Sequence, residues 1–241
     1  MTSDPSHPDH HARRAWLIGI ALALLGAILF STKAIVAKLL YRYQLDAVTV
    51  IGFRMMFSLP FFAVMALWQM QRGPSLSTLD RWRMVGLGLV GYYLSSFLDF
   101  LGLQFITAGL ERLILFLTPS FVLLISSRIL HKNITLRDWS ALLMSYAGIV
   151  LVFLHDLKLG GSNVALGALL VLGSAMAYAV YLIGSGELVN RIGSLKLVSY
   201  AMCVSSAACI GQFFALRPAS MLIQPMAVYG LSLINGVFST L

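Results

Sequence analysis

Charged residues are scarce in this 241-residue chain, at 11% of the sequence, whereas 59% is hydrophobic. A soluble globular domain carries roughly 25% charged residues, so the shortage excludes an ordinary water-soluble fold. No stretch between the apolar segments is long enough to form a separate soluble domain. We therefore expect one all-α integral membrane domain, with the lipid bilayer as its main solvent.

Cysteine is nearly absent as well, with only Cys203 and Cys209 in the chain. They are six positions apart on one predicted helix, which places them about 9 Å apart along its axis. This distance is too long for an easy disulfide. The sequence also lacks zinc-ligand spacing, a Walker motif, a nucleophile elbow and a catalytic triad. We therefore expect no enzyme, no metal site, no cofactor and no ATP-driven pump on this chain.

Acidic residues are the rarer charged class, which leaves a formal net charge of +8. The basic residues lie at the ends of apolar runs instead of clustering on one amphipathic face. This pattern is typical of loops retained on the cytoplasmic side of a membrane. It argues against nucleic acid as a partner.

A spanning helix needs about 20 mostly apolar residues, and eight segments approach or reach that length. Residues 1–15 precede them and are predicted to form a disordered cytoplasmic tail. The first segment is too long for the apolar region of a signal peptide, so it is predicted to be an uncleaved span. The segments are Trp16–Leu40, Ala47–Trp68, Met84–Ile106, Leu110–Leu130, Trp139–Leu154, Val164–Gly186, Leu197–Leu216 and Met226–Leu241.

Loop charge predicts the orientation, because Lys and Arg are enriched on the cytoplasmic side. With the N-terminus inside, the inner ends of the segments carry Arg13, Arg14, Arg72, Arg81, Arg83, Arg128, Lys132, Arg137, Arg191 and Lys196. The outer ends carry fewer basic residues, namely Lys38, Arg42, Arg112, Lys158 and Arg217. We therefore predict a bacterial-type inner membrane protein with a cytoplasmic N-terminus.

An internal repeat is the most informative feature of the sequence. Residues 86–97 match residues 230–241 at an offset of 144, and the first segment matches the sixth at an offset of 148. A repeat of five helices crosses the membrane an odd number of times, so its second copy must be inverted. Inverted repeats are common in secondary transporters, with the substrate site near midplane. The predicted copies are residues 16–154 and, incompletely, residues 164–241.

Three ionisable residues lie within the predicted spans, where charge is costly and suggests function. Lys33, Arg54 and Asp99 fall at a similar depth, roughly 10 Å from the outer face by helical rise. One interpretation is a partly neutralised basic patch that binds an anionic group of a substrate. The alternative is a structural Arg54–Asp99 ion pair, with Lys33 reaching the interface.

Tyrosines within the spans are further candidates for a polar cavity, because a buried hydroxyl needs a partner. Tyr92 and Tyr181 are included in the candidate substrate cavity, and Tyr181 is the repeat counterpart of Lys33. Pro60 and Pro119 lie within the second and fourth spans, where each removes a backbone hydrogen bond. They are hinge candidates, although a static kink is equally consistent with the sequence.

Three glycines, Gly86, Gly88 and Gly91, spell a dinucleotide-binding fingerprint. That motif has meaning only between a strand and a helix, whereas these glycines lie inside an apolar span. They are interpreted as sites of close helix packing.

Several segments resemble the EamA-type members of the drug/metabolite transporter superfamily. The similarity lies in residues 19–38, in Leu113-Ile-Leu-Phe-Leu-Thr-Pro-Ser-Phe121, and in Ala177-Tyr-Ala-Val-Tyr181 with the following residues 185–194. The resemblance implies ten helices in two inverted five-helix repeats around a central cavity. It also implies export of amino acids, other metabolites or toxic compounds. The sequence departs from that pattern by ending in its eighth segment, so the second repeat is expected to be incomplete.

The sequence therefore predicts a secondary transporter, with export as the expected direction and small metabolites such as amino acids as the expected substrates. The alternative is a non-transporting membrane scaffold, or a partner subunit completed by another chain. No pattern in the sequence specifies the substrate, the coupling ion or the oligomeric state.

Overall fold

The computed structural model describes residues 10–70, 76–129, 135–159 and 163–238, and this part of the chain is built from helices and their connections. Residues 1–9 of the predicted tail lie outside the described residues, whereas residues 10–15 belong to the first helix. A helix that leaves the bilayer keeps its backbone hydrogen bonds, which explains this early start. The α-helices are α1 (His10–Arg42), α2 (Ala47–Met70), α3 (Thr78–Gly88), α4 (Ser95–Leu103), α5 (Ala108–Leu115), α6 (Thr118–Ile129), α7 (Leu136–Leu159), α8 (Val164–Ile192), α9 (Ser194–Leu216) and α10 (Met226–Phe238).

Five helical stretches in the described part of the chain are long and apolar enough to cross a membrane. They are Ala47–Met70, Thr78–Leu103, Ala108–Arg128, Val164–Ile192 and Ser194–Leu216. Two shorter apolar helices cover Trp139–His155 and Met226–Val237. The chain is therefore an all-helical, multi-pass membrane protein.

The third predicted span is one continuous helix with a widened turn in its middle. It begins at a capping box in which Ser77 and Asp80 satisfy each other's backbone N–H groups. A π-helical segment, Leu89–Leu94, then connects α3 to α4. Single π turns inside α-helices are frequent at functional sites, and this one carries Tyr92.

The fourth predicted span is broken, and the break changes the interpretation of Pro119. Helix α5 ends at Leu115, and α6 begins at Thr118 after a turn at Phe116 and Leu117. Pro119 thus lies in the first turn of α6, where its missing N–H would have no intrahelical partner anyway. Pro60, by contrast, lies inside the continuous helix α2.

Glycines set the closest helix contacts. A Cβ on Gly88 of α3 would lie 2.8 Å from the carbonyl oxygen of Ala201 in α9. A Cβ on Gly236 of α10 would lie 2.8 Å from the carbonyl oxygen of Arg54 in α2. Gly86, in contrast, has no atom within 4 Å of such a Cβ. Close packing therefore holds for Gly88 but not for every glycine of the motif.

Helices from the two halves of the chain pack mainly against each other. Helix α2 packs along α9, the α3–α4 helix packs on α8 and α9, and α10 packs on α1 and α2. These contacts form a core of interleaved helices, which encloses the polar residues described next.

Candidate substrate site

A buried cluster of ionisable side chains lies between the helices of the first half. Lys33 of α1 forms an ion pair with Asp99 of α4. Its Nζ also lies 3.7 Å from Oε1 of Glu111 in α5. Lys33 is 6% exposed, Asp99 is 2% exposed and Glu111 is fully buried. One lysine is therefore shared by two carboxylates inside the helix bundle.

The ring of Phe100 lies beside two of the cations in this region. The Nζ of Lys33 is 5.4 Å from the ring centroid, and the Cζ of Arg54 is 5.3 Å from it. Such cation–π contacts are stronger when the cation is desolvated. Phe100 thus stabilises positive charge where water is excluded, and Arg54 is as buried as Lys33.

The cluster contains three basic and two acidic side chains. Arg112 joins it, because its Nε lies 3.2 Å from Oε2 of Glu111. Three basic residues therefore surround the carboxylates of Asp99 and Glu111. Among the described residues, Oδ1 of Asp99 and both carboxylate oxygens of Glu111 accept no hydrogen bond. This arrangement has the acceptors to hold an additional donor such as an ammonium group.

A polar seam continues from the cluster along α4 and the π-helical segment. The hydroxyls of Tyr92 and Tyr181 lie 3.1 Å apart, and those of Ser95 and Ser174 lie 3.0 Å apart. Each pair joins the third predicted span to α8. Gly91 makes the tyrosine contact possible, because a Cβ there would lie 2.3 Å from Cγ of Tyr181.

A pocket of about 300 Å³ lies at the end of the bundle where α1 meets α2. It is lined by Lys38, Tyr41, Gln44, Leu45, Asp46 and Gln104. The hydroxyl of Tyr41 donates a hydrogen bond of 2.7 Å to the carbonyl oxygen of Phe100. Tyr41 therefore connects the pocket to the residue whose ring contacts both buried cations.

The rim of this pocket carries an ion pair between Asp46 and Arg217. Nη2 of Arg217 lies 2.7 Å from Oδ2 of Asp46, and Nε lies 3.1 Å from the same oxygen. Burial acts to raise the pKa of Asp46, but hydrogen bonds from Arg217 and Thr49 outweigh it and hold that pKa below its ordinary value. The same contact raises the pKa of Arg217. Both groups therefore stay charged across the physiological pH range.

Within the described part of the chain, no group of three or more histidine, cysteine or acidic side chains is placed to hold a metal ion.

Comparison with known proteins identifies the family. The model of the EamA-like transporter family matches residues 17–154, which is more than half of the chain. This chain belongs to the EamA-like transporter family. The EamA-like chain is also 30% identical over 230 residues to the uncharacterized transporter YcbK of Bacillus subtilis (strain 168), covering 92% of this chain and 71% of that relative. No solved structure matches it. The protein is therefore a multi-pass membrane transporter by family.

The structure of this EamA-like transporter brings together the charged residues singled out in the sequence. Lys33 and Arg54 both lie beside the Phe100 ring, and Lys33 is in direct contact with Asp99. The direct Lys33–Asp99 contact differs from the structural alternative above, which paired Asp99 with Arg54. The two tyrosines, Tyr92 and Tyr181, also meet.

Glu111 is the site residue that sequence reasoning missed. The fourth span was predicted to begin at Leu110, which placed Glu111 and Arg112 at its outer end. The helix begins at Ala108 after the N-cap Thr107, so Glu111 falls a turn inside. The available signal was Thr107 itself, because a threonine directly before an apolar helical segment is a typical N-cap and marks a helix start.

Proposed function

We propose that this chain is a secondary transporter of small zwitterionic metabolites such as amino acids, and that it exports them across a bacterial inner membrane. The observation that carries the proposal is the buried cluster of both charge signs at Lys33, Asp99 and Glu111. Each lone charge at a helix centre costs roughly 2.5–3.5 kcal/mol on insertion scales. A cluster of this cost inside a transporter is best explained by substrate recognition.

The arrangement suits a zwitterion because its two charges find opposite partners within one site. A substrate carboxylate fits the basic side of the cluster, formed by Lys33 and Arg54 beside Phe100. A substrate ammonium fits the oxygens of Asp99 and Glu111 that accept no hydrogen bond. Binding would thus add a partner of opposite charge to each side of the cluster.

We further propose that residues 16–154 and 164–241 are two inverted copies of one repeat, with residues 239–241 outside the described part. The backbone turns between helices support this proposal. In the described part, the residues with positive φ are Gln44, between α1 and α2, and Gly193, between α8 and α9. They are 149 residues apart, close to the sequence offset of 148. The corner between the first two helices of each copy therefore carries one residue with positive φ.

Close helix contacts support the same symmetry. Gly88 meets Ala201, and Gly236 meets Arg54, each at 2.8 Å from a carbonyl oxygen. Gly88 and Gly236 are 148 residues apart, and Arg54 and Ala201 are 147 apart. These contacts favour one offset near 148 for all matched helices, in place of the value of 144 suggested by aligning residues 86–97. The two offsets differ by four residues, which is about one helical turn.

A path through the bundle follows from this arrangement. It leads from the pocket, past Tyr41 and Phe100, to the charged cluster and on to Tyr92 and Tyr181. The opposite end is closed by an apolar cluster of Met84, Leu188, Ile192 and Leu197. Pro60 and the helix break at Pro119 lie in helices of the first copy, where they are candidate hinges for opening this end.

The tryptophans support a cytoplasmic N-terminus and a pocket that faces outward. Trp16, Trp68, Trp82 and Trp139 are 65%, 49%, 70% and 49% exposed. All four lie at the ends of helices expected to face the cytoplasm, where aromatic belts form.

A direct test is counterflow in liposomes that contain the purified protein and a panel of unlabelled amino acids. Labelled amino acid should accumulate against its gradient in wild-type vesicles. Lys33→Gln should abolish that accumulation in vesicles that contain equal amounts of folded protein, because it removes the charge shared by both carboxylates. Arg83→Gln is the matched control, since it breaks only the exposed pair with Glu187 at 3.6 Å. Absence of counterflow with every amino acid in wild-type vesicles would refute the proposal and favour the scaffold or partner-subunit alternative.

A further inference from the structure

Two ion pairs connect the two halves of the chain at opposite ends of the helix bundle. At the end with the pocket, Asp46 before α2 pairs with Arg217 after α9. At the other end, Asp80 in the first turn of α3 pairs with Arg191 in the last turn of α8. Each pair joins residues far apart in sequence, so each closes one end of the bundle between its halves.

Each aspartate accepts a hydrogen bond from a residue near the start of its own helix. Asp46 uses Oδ1 to accept a hydrogen bond of 2.5 Å from the hydroxyl of Thr49, at the start of α2. Asp80 uses Oδ2 to accept a hydrogen bond of 3.1 Å from the backbone N–H of Ser77, at the start of α3. In both, the other carboxylate oxygen faces an arginine of the other half. Each carboxylate is therefore anchored at a helix N-terminus and offers one oxygen across the gap.

Each pair joins the two proposed copies, but the two pairs do not occupy equivalent positions of the repeat. At the offset of 148, the counterparts of Asp46 and Arg217 are Ser194 and Gln69. Arg191 lies three residues before Ser194, and Asp80 lies eleven residues after Gln69. The two pairs are therefore related by their places at opposite ends of the bundle, with the charge signs of the two copies reversed.

We propose that Asp46–Arg217 and Asp80–Arg191 are two access latches that open in alternation, one for each side of the membrane. This inference rests on the inverted repeat in the proposed function. Because each pair joins the two copies and the pairs lie at opposite ends of the bundle, rocking one copy against the other separates one pair while it keeps the other together.

The exposure of these pairs suits reversible opening. The side chains of Asp46 and Arg217 are 29% and 35% exposed, and that of Arg191 is 50% exposed, whereas that of its partner Asp80 is 4% exposed. Exposed ion pairs contribute little and are screened by salt. A latch of this kind biases the equilibrium between the two states without locking either one.

The experiment measures nitroxide distances at each end of the full chain in the membrane, without substrate. One spin-label pair at Tyr43 and Leu216 reports on the pocket end, and another at Leu79 and Asn190 reports on the opposite end. All four positions are exposed. Cys203 and Cys209 are replaced by alanine so that only the labels react.

Asp46→Asn removes the charge but keeps an oxygen that can accept from Thr49. It should raise the population with a long Tyr43–Leu216 distance two- to fivefold, as expected for one exposed pair, and reduce the population with a long Leu79–Asn190 distance. Asp80→Asn should do the reverse. Arg217→Gln should reproduce the effect of Asp46→Asn, and combining the two should add nothing further.

Arg42→Gln is the matched control, because it removes an exposed positive charge at the pocket end and should change neither distance. Opening of one end without the opposite change at the other end would overturn the latch proposal, as would equal responses to Asp46→Asn and Asp80→Asn. Because the distances need no substrate, a negative counterflow result would leave this outcome readable on its own.

Discussion

The ion pair between Lys33 and Asp99 gives the sharpest test of the buried cluster. Asp99→Asn keeps the size of the side chain but removes its charge. Lys33 is then left with Glu111, whose Oε1 lies 3.7 Å from its Nζ. Removing one partner of a buried ion pair costs about 3–5 kcal/mol, because the remaining charge is uncompensated. The second carboxylate retains part of the attraction, so we expect a loss of about 3 kcal/mol, at the lower end of that range.

Rescue distinguishes a specific pair from general damage. Adding Lys33→Gln to Asp99→Asn removes the orphaned charge and should recover much of the lost free energy of unfolding. Adding Arg54→Gln should recover less, because Arg54 contacts the Phe100 ring and Lys33 is in direct contact with Asp99. Reversible unfolding in mixed detergent micelles, read as a double-mutant cycle, measures both couplings. Additive effects of the Asp99 and Lys33 changes would refute the pairing.

Three further outcomes are expected. Gly88→Ala should destabilise the protein by about 1–3 kcal/mol through overpacking, whereas Gly86→Ala should not, because its Cβ meets no atom; equal melting temperatures would contradict this. The lowered pKa of Asp46 means that its stabilising effect is present above the unfolded pKa of about 3.9 and is lost as the pH falls through the lower folded pKa. Thermal unfolding of the wild type should therefore lose more stability than Asp46→Asn between pH 6 and pH 3, and parallel curves would argue against the pair. Reporter fusions after Arg191 and after Arg217 should report cytoplasm and periplasm respectively, and the reverse result would invert the topology.

Composition and hydropathy were sufficient to predict the helical membrane fold. The apolar segments that begin at Ala47 and Val164 start where the helices do, because water cannot satisfy a backbone inside lipid. The break at Phe116 and Leu117 was not predictable in this way. Hydropathy is uniform across it, and the local signal is Pro119, which lacks the N–H that would donate to the carbonyl oxygen of Leu115.

The candidate site was predicted in its depth but not in its pairing. Helical rise placed Lys33, Arg54 and Asp99 at one depth in the membrane. In the structure Lys33 and Arg54 lie beside the Phe100 ring, and Asp99 contacts Lys33. Rotation of each helix about its axis is set by packing, so the partner of Asp99 could not be read from depth alone. Glu111 was missed because the predicted helix start was two residues too late. That error placed Glu111 at the interface, whereas in the structure it lies inside the bundle.

The central claim is that the buried cluster binds both charged groups of a zwitterionic substrate. The most direct measurement is counterflow with three matched compounds, namely an amino acid, its amide and its N-acetyl derivative. The amide lacks the carboxylate that Lys33 and Arg54 would bind, and the N-acetyl compound lacks the ammonium that Asp99 and Glu111 would bind. We expect exchange of the free amino acid and at least a tenfold weaker response to each derivative, which corresponds to loss of about 1.4 kcal/mol of binding. Equal exchange of all three compounds would contradict the claim.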